Sequence, residues 1–301
     1  MIARQLLQAF SEDLHYNAGA RPCYLMALID MAMLTQAQRE QVTARFEGLL
    51  HPLLLDPDYA TLQPLGAMLA GTDESSPAGF DTLIAKASGY GTDVIQAWVT
   101  SLWPPDMLAR HFSHATFAQG GDGERYLLRY YDPLVLPVLH RTASPAWVSW
   151  FFAPILSWWF AGATTEHPRW SRIRGGARLP QPSPPALTLT DALWEALVSD
   201  PLPHQLLHTL EQEAPAVFAS DCRGVRLAQI EAQLDAARQH GLSRHDDLTT
   251  YVLVGLSIPA ARLAADRDWQ DAVKRALTDQ LPLSQSLAAL QHRADPKRPQ
   301  S

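Results

Sequence analysis

Cysteine is nearly missing. The 301 residues hold only Cys23 and Cys222, in different halves and without metal-ligand spacing, so neither a disulfide framework nor a zinc knuckle is supported. Positive charge is not in excess either: 24 Lys and Arg stand against 31 Asp and Glu, a net charge of −7. That balance argues against chain-wide binding of nucleic acid or anionic lipid. No Walker A loop, Gly-x-Ser-x-Gly elbow or dinucleotide fingerprint occurs, and Gly89-Tyr90-Gly91 reads as a helix stop and turn. Met1 to Phe10 is a short amphipathic stretch with one Arg and two Gln, lacking the apolar run and small-residue cleavage site of a secretory signal. A reducing cytoplasm is the expected setting, and no cofactor is expected.

Long uncharged runs are also rare. The exception is the 24 residues between Arg141 and Glu166, which carry no formal charge. Pro145 and Pro154 interrupt this run, and its tryptophans are spread through the interior instead of gathering at two interfaces, so no membrane insertion is expected. With 47% hydrophobic and 18% charged residues, the chain can bury a sizeable core.

The organisation reads as two acidic lobes around a basic connector. Net charge is −6 over residues 1–161, +3 over 162–186 and −4 over 187–301. The connector holds Arg169, Arg172, Arg174 and Arg178 with five prolines from Pro168 to Pro185, the composition of a linker or irregular excursion. We therefore expect an α/β domain over 1–161, a Pro/Arg-rich connector over 162–186 and a helical domain over 187–301.

In the first lobe, Cys23 to Asp30 has strand length and Thr35 with Gln38 has the reciprocal pattern of a capping box. Val42, Phe46, Leu49 and Leu50 mark a helical face. Strands are expected near Leu62 to Leu69 and Val94 to Thr100, with a helix near Phe80 to Ala87 between them. Pro104 and Pro105 open a helix through His114, and Ala115 to Ala118 pairs with Arg125 to Tyr131 across Gly120-Gly121-Asp122-Gly123, a hairpin turn. This antiparallel pair points to α+β: a mixed α/β lobe with a sheet and a hairpin, followed by an all-α lobe. In the latter, Leu227, Ile230, Leu234 and Ala237 stripe a helix closing at Gly241, and Ser243 opens another carrying Leu248, Tyr251, Val252 and Leu256. Further helical patterns cover Leu189 to Val198, Pro203 to Glu213, Ala260 to Asp279 and Leu283 to His292, giving a small bundle.

Candidate chemistry is thin. His204 and His208 are spaced to share a metal, but Gln205 stands where a zinc protease needs a glutamate base. His111 and His114 read as solvent-facing. Cys23 reads as core, and Cys222 gains no lowered pKa from Asp221.

The aromatics say more. Seven of nine tryptophans lie between Trp98 and Trp170, and Trp147, Trp150, Phe151, Phe152, Trp158, Trp159 and Phe160 crowd one stretch. In a strand, Trp158 and Trp159 point to opposite faces, so both are buried only if each face is covered. Such density suits either a core or an exposed apolar surface for another protein. The Arg129-Tyr130-Tyr131-Asp132-Pro133 string forms a strand-to-helix corner, with Asp132 capping and Pro133 at the first helical position. Arg129 and Asp132 read as an internal brace in preference to a partner contact.

This string, followed by Val135, Leu136, Pro137 and Leu139 and then by Phe152-Ala153-Pro154-Ile155 with Trp158 and Trp159, resembles the type VI secretion effector chaperone or adaptor family. Upstream, the strand ending at Asp30, the strand carrying Trp98 and the helix with Leu108 and His111 occur in the expected order. The likeness covers about Tyr24 to Phe160, and Ala153 stands where such proteins often carry glycine. It implies a cytoplasmic, non-enzymatic adaptor that holds a toxin effector and helps load it onto the spike protein (VgrG). Asp30, Arg129, Tyr130, Tyr131, Asp132 and Pro133 would then be structural motif residues. Trp98, Trp147, Trp150, Phe151, Trp158 and Trp159 are expected to engage the effector, so alanine at Trp150 and Phe151 should weaken capture without unfolding. The rivals are an immunity protein or scaffold that binds a toxin, and a hydrolase with an Asp/His site assembled by folding.

Overall fold

A computed structural model describes residues 4–16, 21–91, 94–179, 183–198, 200–220, 222–278 and 281–294. The chain divides into two compact units. Met1–Gly162 with Arg169–Ser199 form the first, and Ala163–Pro168 with Asp200–Ser301 the second. The expected fold class is borne out: an α/β region with a large antiparallel sheet precedes an all-helical region.

In the first unit the order is α1 (Arg4–Tyr16), β1 (Tyr24–Asp30), α2 (Gln36–Arg45), β2 (Leu50–Pro52), β3 (Ala67–Gly71), α3 (Pro77–Ala87), β4 (Ile95–Ser101) and α4 (Pro105–Ser113). There follow β5 (Phe117–Gly120), β6 (Arg125–Leu127), α5 (Val135–Thr142), α6 (Pro145–Phe151), β7 (Ile155–Ala163), β8 (Pro168–Arg174), β9 (Thr188–Leu189) and α7 (Asp191–Leu197). Six strands form one sheet in the order β2-β3-β1-β4-β7-β8. A smaller sheet pairs β5 antiparallel with β6 and parallel with β9.

Local chemistry accounts for several boundaries. Thr35 and Gln38 make the full capping box at the start of α2. Ser76 receives Gly79 N–H at 3.2 Å at the head of α3, and Gly123, at φ +85°, turns the hairpin. Ala153 has no positive φ, so the turn before β7 does not need the left-handed backbone that favours glycine.

The large sheet is covered on both sides. One face packs Met26, Leu28, Val99 and Trp158 under Leu108, Phe112, Leu139, Trp147 and Phe151 of α4, α5 and α6. The other packs Leu25, Ala27, Ile29 and Trp98 under Leu6, Phe10, Val42, Phe80 and Leu83 of α1, α2 and α3 and under Phe46, which ends α2. Opposed Trp158 and Trp159 pair with Val99 and Trp98 of β4, and each enters a different layer as alternation requires.

Several expectations need correction. The strand expected at Leu62 to Leu69 begins only at Ala67. Pro57–Leu65 forms 3-10 turns instead, opened by the Asp56 carboxylate accepting Asp58 N–H at 3.0 Å and containing Pro64. Leu49 and Leu50 leave the α2 face because Gly48, at φ +75°, diverts the chain into β2. β6 ends at Leu127, short of Tyr131. The segment expected as an irregular connector contains β8, an edge strand of the large sheet, while residues 180–182 lie outside the described residues. β9 and α7 fall in the first unit.

The second unit holds α8 (Leu202–Glu213), α9 (Arg223–Gln239), α10 (His245–Ser257), α11 (Ala260–Ala265), α12 (Arg267–Thr278) and α13 (Leu283–Ala294). Ile230, Leu234 and Ala237 are fully buried on α9, and Gly241, at φ +92°, ends that run. The expected Ala260 to Asp279 helix is two, broken at Asp266, whose carboxylate caps Asp268 and Trp269 N–H at 3.0 and 3.1 Å. Arg244, not Ser243, precedes α10. Buried Asp247 accepts from Leu283 N–H at 2.7 Å and from Arg244 Nε at 2.6 Å, tying α13 to α10.

Candidate functional site

The aromatic band expected as a gripping surface is packed inside the first unit. Trp98, Trp147, Trp158 and Phe151 are at most 1% exposed and Trp150 is 6% exposed; only Trp159 of the six is half-buried. Trp147 stacks on Phe151 at 4.8 Å between centroids, and Phe112 lies 5.2 Å from both Phe151 and Trp158. The physical reason is the three-layer architecture. A sheet buried on both faces needs large apolar side chains pointing both ways, and tryptophan supplies the area.

His111 is also corrected. Instead of facing solvent it is buried at 5% exposure, with its ring 4.1 Å from that of Trp150 and Nε2 3.0 Å from the Phe151 carbonyl oxygen. Burial lowers its pKa to about 4, so it is neutral at pH 7 and donates that bond through Nε2.

The Arg129–Pro133 corner has a definite geometry. After Leu128 N–H reaches the Thr116 carbonyl at 2.7 Å, the chain leaves the hairpin and closes a turn, Asp132 N–H to Arg129 oxygen, at 3.0 Å. Asp132 Oδ1 accepts Leu134 N–H at 2.8 Å, and its carbonyl accepts Leu136 N–H at 2.9 Å. These bonds fix the turn before the helix, but Asp132 is not its cap: α5 starts at Val135, its N-cap is Leu134 without a side-chain cap bond, and Pro133 lies outside it. Tyr130 points inward, fully buried, and its hydroxyl has no hydrogen-bond partner among the described residues.

Arg129 reaches back across the fold to Asp30 at the end of β1 and forms an ion pair with it. Asp132 is only a distant second partner at 3.9 Å. Asp30 Oδ1 also accepts Ala32 N–H at 3.1 Å. Burial raises the Asp30 pKa despite the opposing Arg129 charge and the Ala32 hydrogen bond, and burial likewise pushes the Tyr131 hydroxyl up to about 12. The expected brace exists, but its anchor is Asp30 and not Asp132.

What the corner leaves outside is apolar as well as charged. Leu127, two residues before the motif, and Leu134, immediately after it, are 51% and 49% exposed, and Arg129 is half exposed. Composition alone could not find these leucines, because the strand pattern ran through Tyr131 and hid where the chain turns. On the same unit, Trp194 of α7 is 44% exposed and sits edge-on to Tyr126 at 5.4 Å. An open pocket lies beside Asp56, His114, Phe117 and Arg125. Its charges satisfy each other, since Arg125 pairs with Asp56 and lies 3.7 Å over the Phe117 ring.

Among the described residues, no group of three His, Cys, Asp or Glu side chains gathers as a metal site requires, so His204 and His208 gain no third ligand. Cys23 is buried and its thiol is pushed up to about 12, chiefly by burial; Cys222 is half-buried. No described helix is long and apolar enough to cross a membrane.

A family profile described as a domain of unknown function (DUF4123) matches residues 25–149. The match lies wholly within the first unit and includes Asp30 and the Arg129–Pro133 corner. It stops before the Phe152-Ala153-Pro154-Ile155 string. That family is generally associated with type VI secretion effector adaptors. No curated protein and no solved structure matches the chain.

Proposed function

We propose that this chain is a cytoplasmic type VI secretion adaptor that binds a toxin effector and promotes its loading onto the spike protein, without catalysis of its own. The observation that carries this reading is the family match over residues 25–149, which contains both halves of the Arg129–Asp30 brace. The same corner supplies a physical means. A turn fixed from behind by a buried carboxylate leaves Leu127, Arg129 and Leu134 exposed within eight residues of chain, and exposed apolar side chains near an arginine are typical of protein contact surfaces. The buried tryptophans then support that surface instead of forming it.

The test is deletion of the gene in a host that carries its neighbouring toxin and spike genes. Loss of effector secretion with toxin activity intact in lysates, together with co-purification of the chain with the effector, supports the reading. Normal secretion, or inhibition of the toxin by the purified chain, would overturn it, the latter in favour of an immunity protein.

A further inference from the structure

The buried stripe of α1 runs Leu6, Ala9, Phe10 and Asp13, the spacing of a helix face laid against a core. Three members are apolar and the fourth is a carboxylate, 6% exposed. Asp13 Oδ2 accepts from Thr100 Oγ1 of β4 at 2.7 Å, and Oδ1 accepts from Arg172 of β8 at 2.7 Å. The same guanidinium donates to Ser157 Oγ of β7 at 2.9 and 2.6 Å and lies 4.9 Å from the Trp159 ring centroid. One helix side chain therefore engages two strands directly and, through Arg172, a third. Among the described residues, no backbone hydrogen bond joins α1 to another element.

Such a clasp specifies position more than it adds stability. Removing both charges from water costs about what their attraction returns, so well-packed apolar side chains in their place would hold the helix at least as tightly. The apolar attachment among the described residues is Leu6, Ala9 and Phe10, with partly buried Leu14 packed beside them and the Phe10 ring 5.4 Å from Trp98. β1, by contrast, is paired along both edges by β3 and β4. Segments with few buried apolar contacts and no backbone ladder open before the elements they cover.

We infer that α1 is a latch: closed, it covers the sheet face at Trp98 and Cys23 under the Asp13–Arg172 clasp, and it opens as a unit while the sheet stays folded. Cys23 reports the opening. It packs in the same core as Leu6 and Phe10 and lies close enough to Asp13 to feel its charge, so alkylation requires the helix to lift.

The experiment measures peptide-resolved iodoacetamide labelling of Cys23 and amide hydrogen exchange on the full chain, across low urea concentrations. Labelling and α1 exchange should share one opening rate, faster than β1 and β4 exchange and with weaker urea dependence. Asp13→Asn should raise Cys23 labelling about tenfold with β1 and β4 exchange unmoved. Replacing the pair together, Asp13→Leu with Arg172→Met, should slow labelling. If Cys23 labels only with the urea dependence of β1 exchange, or if Asp13→Asn accelerates β1 and β4 equally, α1 is an integral layer and the latch is overturned. Should Asp13→Asn fail to fold, the unsubstituted chain's exchange pattern decides by the same criterion.

Discussion

The Arg129 guanidinium closes on the Asp30 carboxylate across ninety-nine residues of chain, and the acid is buried while the base is half exposed. The pair joins the motif corner to the end of the central strand β1. Because Asp30 has nowhere to find water, removing Arg129 strands a buried charge. With Arg129 half in solvent the cost is discounted to roughly 2 kcal/mol.

Arg129→Ala should therefore lower stability by about that amount at neutral pH in urea denaturation, and Arg129→Glu by more. The deficit should shrink in acid. Burial already holds the folded Asp30 pKa above its unfolded value, and losing the arginine raises it further. The variant's folded state thus keeps its proton to higher pH, and stability is lost as pH rises through that folded value. A deficit constant from pH 3 to 7 would rule out Asp30 as the partner responsible. Normal stability with lost effector capture would reassign Arg129 to a partner contact.

His111 makes the opposite prediction in sign. Its folded pKa, about 4, lies below the ordinary 6.5, so the neutral ring's contribution is complete above pH 6.5 and is lost as pH falls towards 4. The loss amounts to roughly 3 kcal/mol. His111→Gln keeps an amide donor near the Phe151 carbonyl and should flatten that slope, read as melting temperature against pH. An unchanged slope would show that other groups set acid lability.

Trp150→Ala and Phe151→Ala were expected from sequence to spare the fold. Their burial reverses that: each should cost about 3–5 kcal/mol, and any lost capture would follow from lost structure. Near-unchanged melting temperatures would contradict the packing described here.

Leu127→Ser and Leu134→Ser are the cleaner surface probes. Both positions are about half exposed, so each change should stay within about 0.5 kcal/mol of the parent. Together they should reduce effector co-purification several-fold. Undiminished capture would remove this corner from the proposed contact.

Elements whose signals are local were legible in the sequence. Thr35 with Gln38, the Gly123 turn, the α9 stripe and the opposed Trp158 and Trp159 each depend on neighbours a few residues away. The misses depend on distant partners. β8 hides in an arginine-rich stretch because, among its described side chains, only Ile173 is buried, and its backbone pairing with β7 leaves no compositional mark. His111 looks like a surface residue until α6 supplies a carbonyl. Asp13 carried a readable signal, a carboxylate inside an apolar helical stripe, but its meaning required Arg172, 159 residues on. The candidate contact corner was legible as a motif, while the exposure of its flanking leucines was not.

The two rims of the large sheet bear on how the chain behaves when crowded. A strand with an unpaired side offers its backbone to any other copy, which is how sheets polymerise. Here one rim, β2, ends in Pro52, which has no amide proton to give. The other, β8, displays Arg169 and Arg174, so a second copy adding there would have to bring like charges together. Arginines on the rim of β8 disfavour such addition, so Arg169→Thr with Arg174→Thr should raise light scattering at high protein concentration, and unchanged scattering would show that this rim needs no charge to stay apart.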